Sequence, residues 1–125
     1  MLRKVLLFFL IALLIVGGGM FFAFWRGIQQ INDFVFADVN LANIADGVYQ
    51  GDVAAGPIQV IVDVIVQDAQ IAEIKLIKHD HGKGEAAESI VDEIITQQSL
   101  QVDTVSGATY SSRVILKAVE SALLH

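Results

Sequence analysis

The sequence predicts an α+β domain carried on one N-terminal transmembrane helix. Three observations lead there. Val5 to Trp25 contains no charged residue. Ile58, Val60, Val62, Val64 and Val66 alternate strictly with Gln59, Ile61, Asp63, Ile65 and Gln67, the period of a strand with one buried face. Val114, Ile115, Ala118, Val119, Ala122 and Leu123 recur at i, i+1, i+4, i+5, i+8 and i+9, which makes one apolar stripe on a helix.

The uncharged run is about 21 residues, or roughly 31 Å of helix, enough to cross a hydrocarbon core. Arg3 and Lys4 precede it and Arg26 follows. That asymmetry places the N-terminus in the cytoplasm and the rest of the chain outside it, a single-pass arrangement in the cell membrane. Trp25 suits the interfacial belt. A cleaved signal peptide is the competing reading, but its apolar region is usually about 7–15 residues and ends in small residues. This run is longer and ends in Phe-Ala-Phe-Trp. Gly17-Gly18-Gly19 weakens the helix locally, at a cost that membrane helices tolerate. Residues 1–26 are therefore read as the anchor.

Residues 27–45 are read as a connector with apolar content (Ile28, Ile31, Phe34, Val35 and Phe36). It either extends the anchor helix or packs on the domain. Residues 46–125 form one small domain. Asp46 to Gly51 reads as a short strand, Ala54-Ala55-Gly56-Pro57 as a turn, and Ile58 to Gln67 as the alternating strand. Asp68-Ala69-Gln70 turns the chain, and Ile71 to Lys78 returns it, completing an antiparallel hairpin. Glu85 to Gln97 reads as a helix with Ile90, Val91, Ile94 and Ile95 on one side. Gln101 to Val105 reads as a fourth strand and Tyr110 to Leu124 as the last helix. Such an order packs helices on one face of an antiparallel sheet.

Composition removes several function classes. The 125-residue chain has no cysteine, which excludes disulfides, thiolate metal sites and iron–sulfur ligation. From Gly27 onward, five basic residues stand against fourteen acidic ones, a net charge of −9 with His neutral. Nucleic-acid binding needs a basic footprint and is disfavoured. The acidity serves solubility near a negative membrane, or steers a basic partner. No Gly-x-Ser-x-Gly and no supported Ser–His–Asp order points to a hydrolase.

The chemistry concentrates in Asp103-Thr104-Val105-Ser106-Gly107-Ala108-Thr109-Tyr110-Ser111-Ser112. Ser106-Gly107 breaks the strand pattern just before the helical stripe, so Thr109 falls near a helix N-terminus. Free N–H groups and the positive end of the helix dipole favour a phosphate there. Gly107 and Ala108 are small enough for close approach. Ser106, Ser111 and Ser112 add hydroxyl donors. The plainer reading is that Ser and Thr before an apolar helix are ordinary N-caps.

This segment resembles the flavinylation motif of FMN-binding domains, Asp-x-x-Ser/Thr-Gly-Ala-Thr. Asp46-Gly47-Val48-Tyr49-Gln50-Gly51 resembles the family's first strand, Asp-Gly-x-Tyr-x-Gly. The family includes the flavin subunits of sodium-pumping and Rnf-type redox complexes and small stand-alone carriers, and this chain is similar to the small kind. The resemblance implies FMN esterified through its phosphate to Thr109 by a separate flavin transferase that uses FAD and a divalent metal. It implies electron relay from a membrane donor to an external acceptor rather than stand-alone catalysis. Asp103 would present the loop or approach the transferase metal, and Tyr110 would pack on the flavin ring or on the helix's neighbours. An accessory subunit of an ion-pumping complex is the alternative, with Gly17-Gly18-Gly19 as a helix-packing surface. A non-redox anchored binding domain is the third reading.

Lys78-His79-Asp80-His81-Gly82-Lys83-Gly84-Glu85 is the other polar cluster. His-x-His without a third ligand is weak support for a metal, and a solvated loop is the plain alternative. The resemblance places this segment beside the flavin, with Gly82 and Gly84 permitting approach and His81 or Lys83 bonding the ring.

Overall fold

The computed structural model describes residues 1–80 and 85–124. Its elements run α1 (Leu2–Asn32), β1 (Gly47–Ala55), β2 (Ile58–Gln67), β3 (Gln70–Asp80), α2 (Ile90–Gln97) and α3 (Thr109–Leu123). A 3-10 turn at Leu41–Asn43 precedes β1, and another at Glu85–Ser89 precedes α2. The sheet has the order β1-β2-β3 with both pairs antiparallel. Both hairpins close with two residues. Gly56 has φ 56° in the first, and Asp68 and Ala69 have φ 52° and 60° in the second. Positive φ at these positions matches the twist of paired strands. The Asp68 N–H also donates to Asp46 Oδ1 at 2.9 Å, tying the second turn to the entry of β1.

The alternation in β2 translates directly into packing. Ile58, Val60, Val62, Val64 and Val66 are all buried. α3 lies over them with its six stripe residues buried, and Leu116 is buried as well. Each Val, Ile or Leu among them contributes about 1.5–3 kcal/mol relative to leaving it in water. Gly51 lets the helix approach β1, because a Cβ there would lie 1.9 Å from the Ala118 carbonyl oxygen. The other sheet face is mixed, with half-buried Ile61 and Ile65 beside polar pairs: Gln50 Nε2 donates to Asp63 Oδ1, Gln59 Nε2 to Asp52 Oδ1 and Lys78 Nζ to Gln59 Oε1. This is the predicted α+β arrangement, an antiparallel sheet with its helices on one face.

α1 stays helical through Gly17-Gly18-Gly19, and the span of highest hydropathy within it is wholly unburied by the protein. The connector does both things open to it. The helix continues to Asn32, with Gly27 and Ile31 buried against the domain. A Cβ on Gly27 would lie 2.2 Å from Gly56 Cα, so the two backbones touch. Beyond Asn32 the chain runs along α3. Arg113 Nε donates to the Ile31 carbonyl at 2.9 Å, and its terminal nitrogen donates to Asn32 and Phe34 carbonyls. Lys117 Nζ donates to the Val35 carbonyl, and the Ala37 N–H donates to Glu120 Oε2. The Arg113 guanidinium also lies 5.3 Å from the Phe36 ring centre.

Three predicted elements differ. β1 continues to Ala55, because Asp52 to Ala55 pair with Ile58 to Ile61 and pairing overrides the weak strand preference of alanine. The helix expected from Glu85 opens as a 3-10 turn and becomes α-helical at Ile90. Gln101 to Val105 is not a strand. Its backbone donors find side chains instead of a ladder: the Gln101 N–H donates to Ser99 Oγ and the Val105 N–H to Ser112 Oγ.

Candidate functional site

The site grows from a tight turn that feeds α3. The Ala108 N–H donates to the Val105 carbonyl at 3.0 Å, closing a four-residue turn over Val105-Ser106-Gly107-Ala108. Gly107 has φ +81°, the conformation that a type II turn demands at its third residue. A Cβ there would meet nothing among the described residues within 4 Å. The glycine is thus required by backbone conformation, not by crowding from neighbours. Ser112 locks the turn from below. It is fully buried, its hydroxyl accepts from the Val105 N–H at 3.0 Å and donates to the Ala108 carbonyl at 2.7 Å.

α3 then begins without a cap. Its N-cap residue is Ala108, no side chain among the described residues bonds the cap, and no acidic residue lies in the first turn. Ser106 therefore does not serve as the cap. The Ser112 N–H bonds the Ala108 carbonyl, and among the described residues nothing bonds the N–H groups of Thr109, Tyr110 and Ser111, the donors a helix start leaves open. Fifteen residues of helix dipole converge there. The arrangement is an anion-accepting surface with a hydroxyl on it.

The predicted residues divide by burial. Ser106, Gly107, Thr109 and Tyr110 are exposed around the helix end, and Asp103 is exposed on the approach. Ala108, Ser111 and Ser112 are buried, and the Ser112 hydroxyl is committed to the turn. His81, Gly82, Lys83 and Gly84 lie outside the described residues. His79, next to them, is not a solvated side chain. It pairs across from Val60 on the inner sheet face, its side chain is 3% exposed, and its Nδ1 lies 3.1 Å from Glu88 Oε1. A cleft of about 430 Å³ lies elsewhere, lined by Gln30, Phe34, Val53, Lys117, Glu120 and Leu124.

Sequence reasoning missed Arg113, counting it only as charge. A signal was present. Arg113, Lys117 and Glu120 fall at i, i+4 and i+7, a charged row beside the apolar stripe. That spacing puts them on one side of the helix, where the connector lies.

No curated protein matches the chain. The model of the FMN-binding domain matches residues 54–124, from the end of β1 through α3. It takes in β2, β3, the Gly107 turn and the uncapped start of α3, and leaves out most of β1. On that match the chain belongs to the FMN-binding domain family.

Proposed function

We propose that the protein is a membrane-anchored flavoprotein that carries FMN on Thr109 and relays electrons. The observation that carries this reading is the exposed Thr109 at an uncapped helix N-terminus, inside the family-matched span. The residues fit the group. The free N–H groups of Thr109, Tyr110 and Ser111 suit phosphate oxygens. Ser106 and Asp103 flank the approach, and Tyr110, 41% exposed, offers an aromatic surface to the ring. FMN, when bound, supplies reversible uptake of one or two electrons.

The ester would form on FAD in a separate flavin transferase. The Thr109 oxygen bonds to the phosphorus of the FMN half, AMP leaves, and the hydroxyl proton passes to a base of the transferase. A threonine hydroxyl is a weak nucleophile unaided, so base and metal belong to that enzyme. The turn held by Ser112 keeps Thr109 outward for it.

α1 serves as an uncleaved anchor in this reading, with the N-terminus cytoplasmic and the domain outside. Cleavage after Trp25 would cut a helix that continues unbroken into the dock at Gly27 and Ile31. The electron donor is held in the membrane and the acceptor lies outside it.

Intact mass tests the attachment. Protein made with a flavin transferase gains one FMN less water, and Thr109→Ala loses that gain. No gain in the wild type, with no flavin released on denaturation, leaves an anchored binding domain. Flavin released on denaturation means that FMN binds without the ester.

A further inference from the structure

We infer that the end of the domain bearing Thr109 faces the bilayer, held there by a rigid dock between α1 and the domain. It follows that a group on Thr109 meets partners held in the membrane. The inference rests on the reading of α1 as an anchor, and it deepens the proposed function by turning the Thr109 site toward the membrane-held donor.

Gly27 is the first residue after Arg26, and it already touches Gly56. No free linker separates the span from the domain. The β1–β2 turn therefore sits at the membrane surface. β2 is ten residues long, so its far end stands about 33 Å away along the strand. β3 runs back from that far turn and ends opposite Gln59, at the membrane end.

The direction of α3 follows from its partners. Arg113 bonds Ile31 and Asn32, Lys117 bonds Val35, and Glu120 bonds Ala37. Leu123 lies with Val39, Leu41 and Ile71 around one small cavity. Ile71 begins β3 at the far end of the sheet. The connector thus climbs α3 from its N-terminal half to its C-terminus as it leaves the membrane. Ile31 lies about one helical turn beyond Gly27, and Thr109 about 6 Å below Arg113 along α3. The uncapped end of α3 points toward the bilayer.

Two contacts make the dock stiff. Gly27 and Gly56 meet backbone to backbone, where no side chain can adjust. Arg113 binds the carbonyls at the end of α1, and a cation there complements the helix dipole. Its bonds are charge-assisted, the stronger kind.

The chain has no cysteine, which permits a clean test. Ser106→Cys and Gln67→Cys variants of the full chain each carry one nitroxide. They are placed in phospholipid vesicles bearing a nickel-chelating headgroup lipid. The label at position 106 should be relaxed several-fold more strongly by the surface nickel than the label at 67. Equal relaxation, or the reverse, overturns the orientation. Adding Gly27→Leu, or Arg113→Ala as a milder second variant, should shrink the difference. An unchanged difference in both overturns the dock as its cause. The measurement uses protein without flavin, so its outcome is independent of the mass test for FMN on Thr109.

Discussion

Thr109 and Ser112 sit one helical turn apart and do opposite things. Thr109 opens α3 and is exposed, while Ser112 is fully buried with both hydroxyl functions used. Ser112→Ala would leave the Val105 N–H without its partner. A buried donor left unpaired costs about 1–3 kcal/mol, and this one is part-buried, so chemical denaturation should reveal a loss of about 1 kcal/mol, the lower end of that range. Flavin loading should fall too, because the turn that presents Thr109 loosens. Thr109→Ser keeps the hydroxyl and should retain FMN by intact mass, whereas Thr109→Val should not. The general position of Thr109 was legible in the sequence, since Ser106-Gly107 precedes a clear helical stripe. The difference between Ser106 and Ser112 was not. Ser106 adjoins Gly107 and Ser112 lies five residues beyond it, and only the packed turn supplies the Val105 N–H and Ala108 carbonyl that hold the Ser112 hydroxyl inward.

At the level of elements, α3 is the organiser. One side buries its stripe on β1 and β2, and its charged row holds the connector. Gly51→Ala would drive a methyl into the Ala118 carbonyl at 1.9 Å. Backbone cannot yield there as a side chain would, so a loss of about 3 kcal/mol is expected in denaturation. Arg113→Gln should leave the sheet intact and free the connector. Amide hydrogen exchange should then rise selectively over residues 32–37, with β2 unchanged. The strand expected at Gln101 to Val105 shows the limit of local pattern. Val102 and Val105 supply apolar positions, but a strand needs a partner edge, and these residues bond Ser99 and Ser112 side chains instead.

For the whole molecule, an exposed apolar helix of this length is stable only where its surroundings are apolar too. The protein should stay with the membrane fraction through an alkaline wash. In the proposed topology, protease added outside the cell should digest the domain and spare α1. The soluble part, with its net charge of −9, should exchange electrons with a basic partner more slowly as salt rises. Steering over a distance weakens as the Debye length shrinks, from about 10 Å at 0.1 M salt to about 3 Å at 1 M. A rate independent of salt would remove steering from the account.

Sequence alone determined the membrane-length helix, the β2–β3 hairpin, the apolar face of α3 and the candidate hydroxyl at its start. Each of those is written in local spacing, and spacing is enforced by the fixed periods of helix and strand. The tertiary structure decided that α1 continues into the domain, that Arg113 holds its end, and that Ser112 turns inward. It also decided which end of the sheet lies beside the anchor. Apart from the Ser112 turn, closed by Val105 and Ala108 seven and four positions away, these depend on contacts between residues about 30 to 80 positions apart, such as Gly27 with Gly56 and Arg113 with Ile31. No local period encodes such pairings. They arise only when packing on the buried face of β2 brings the elements together.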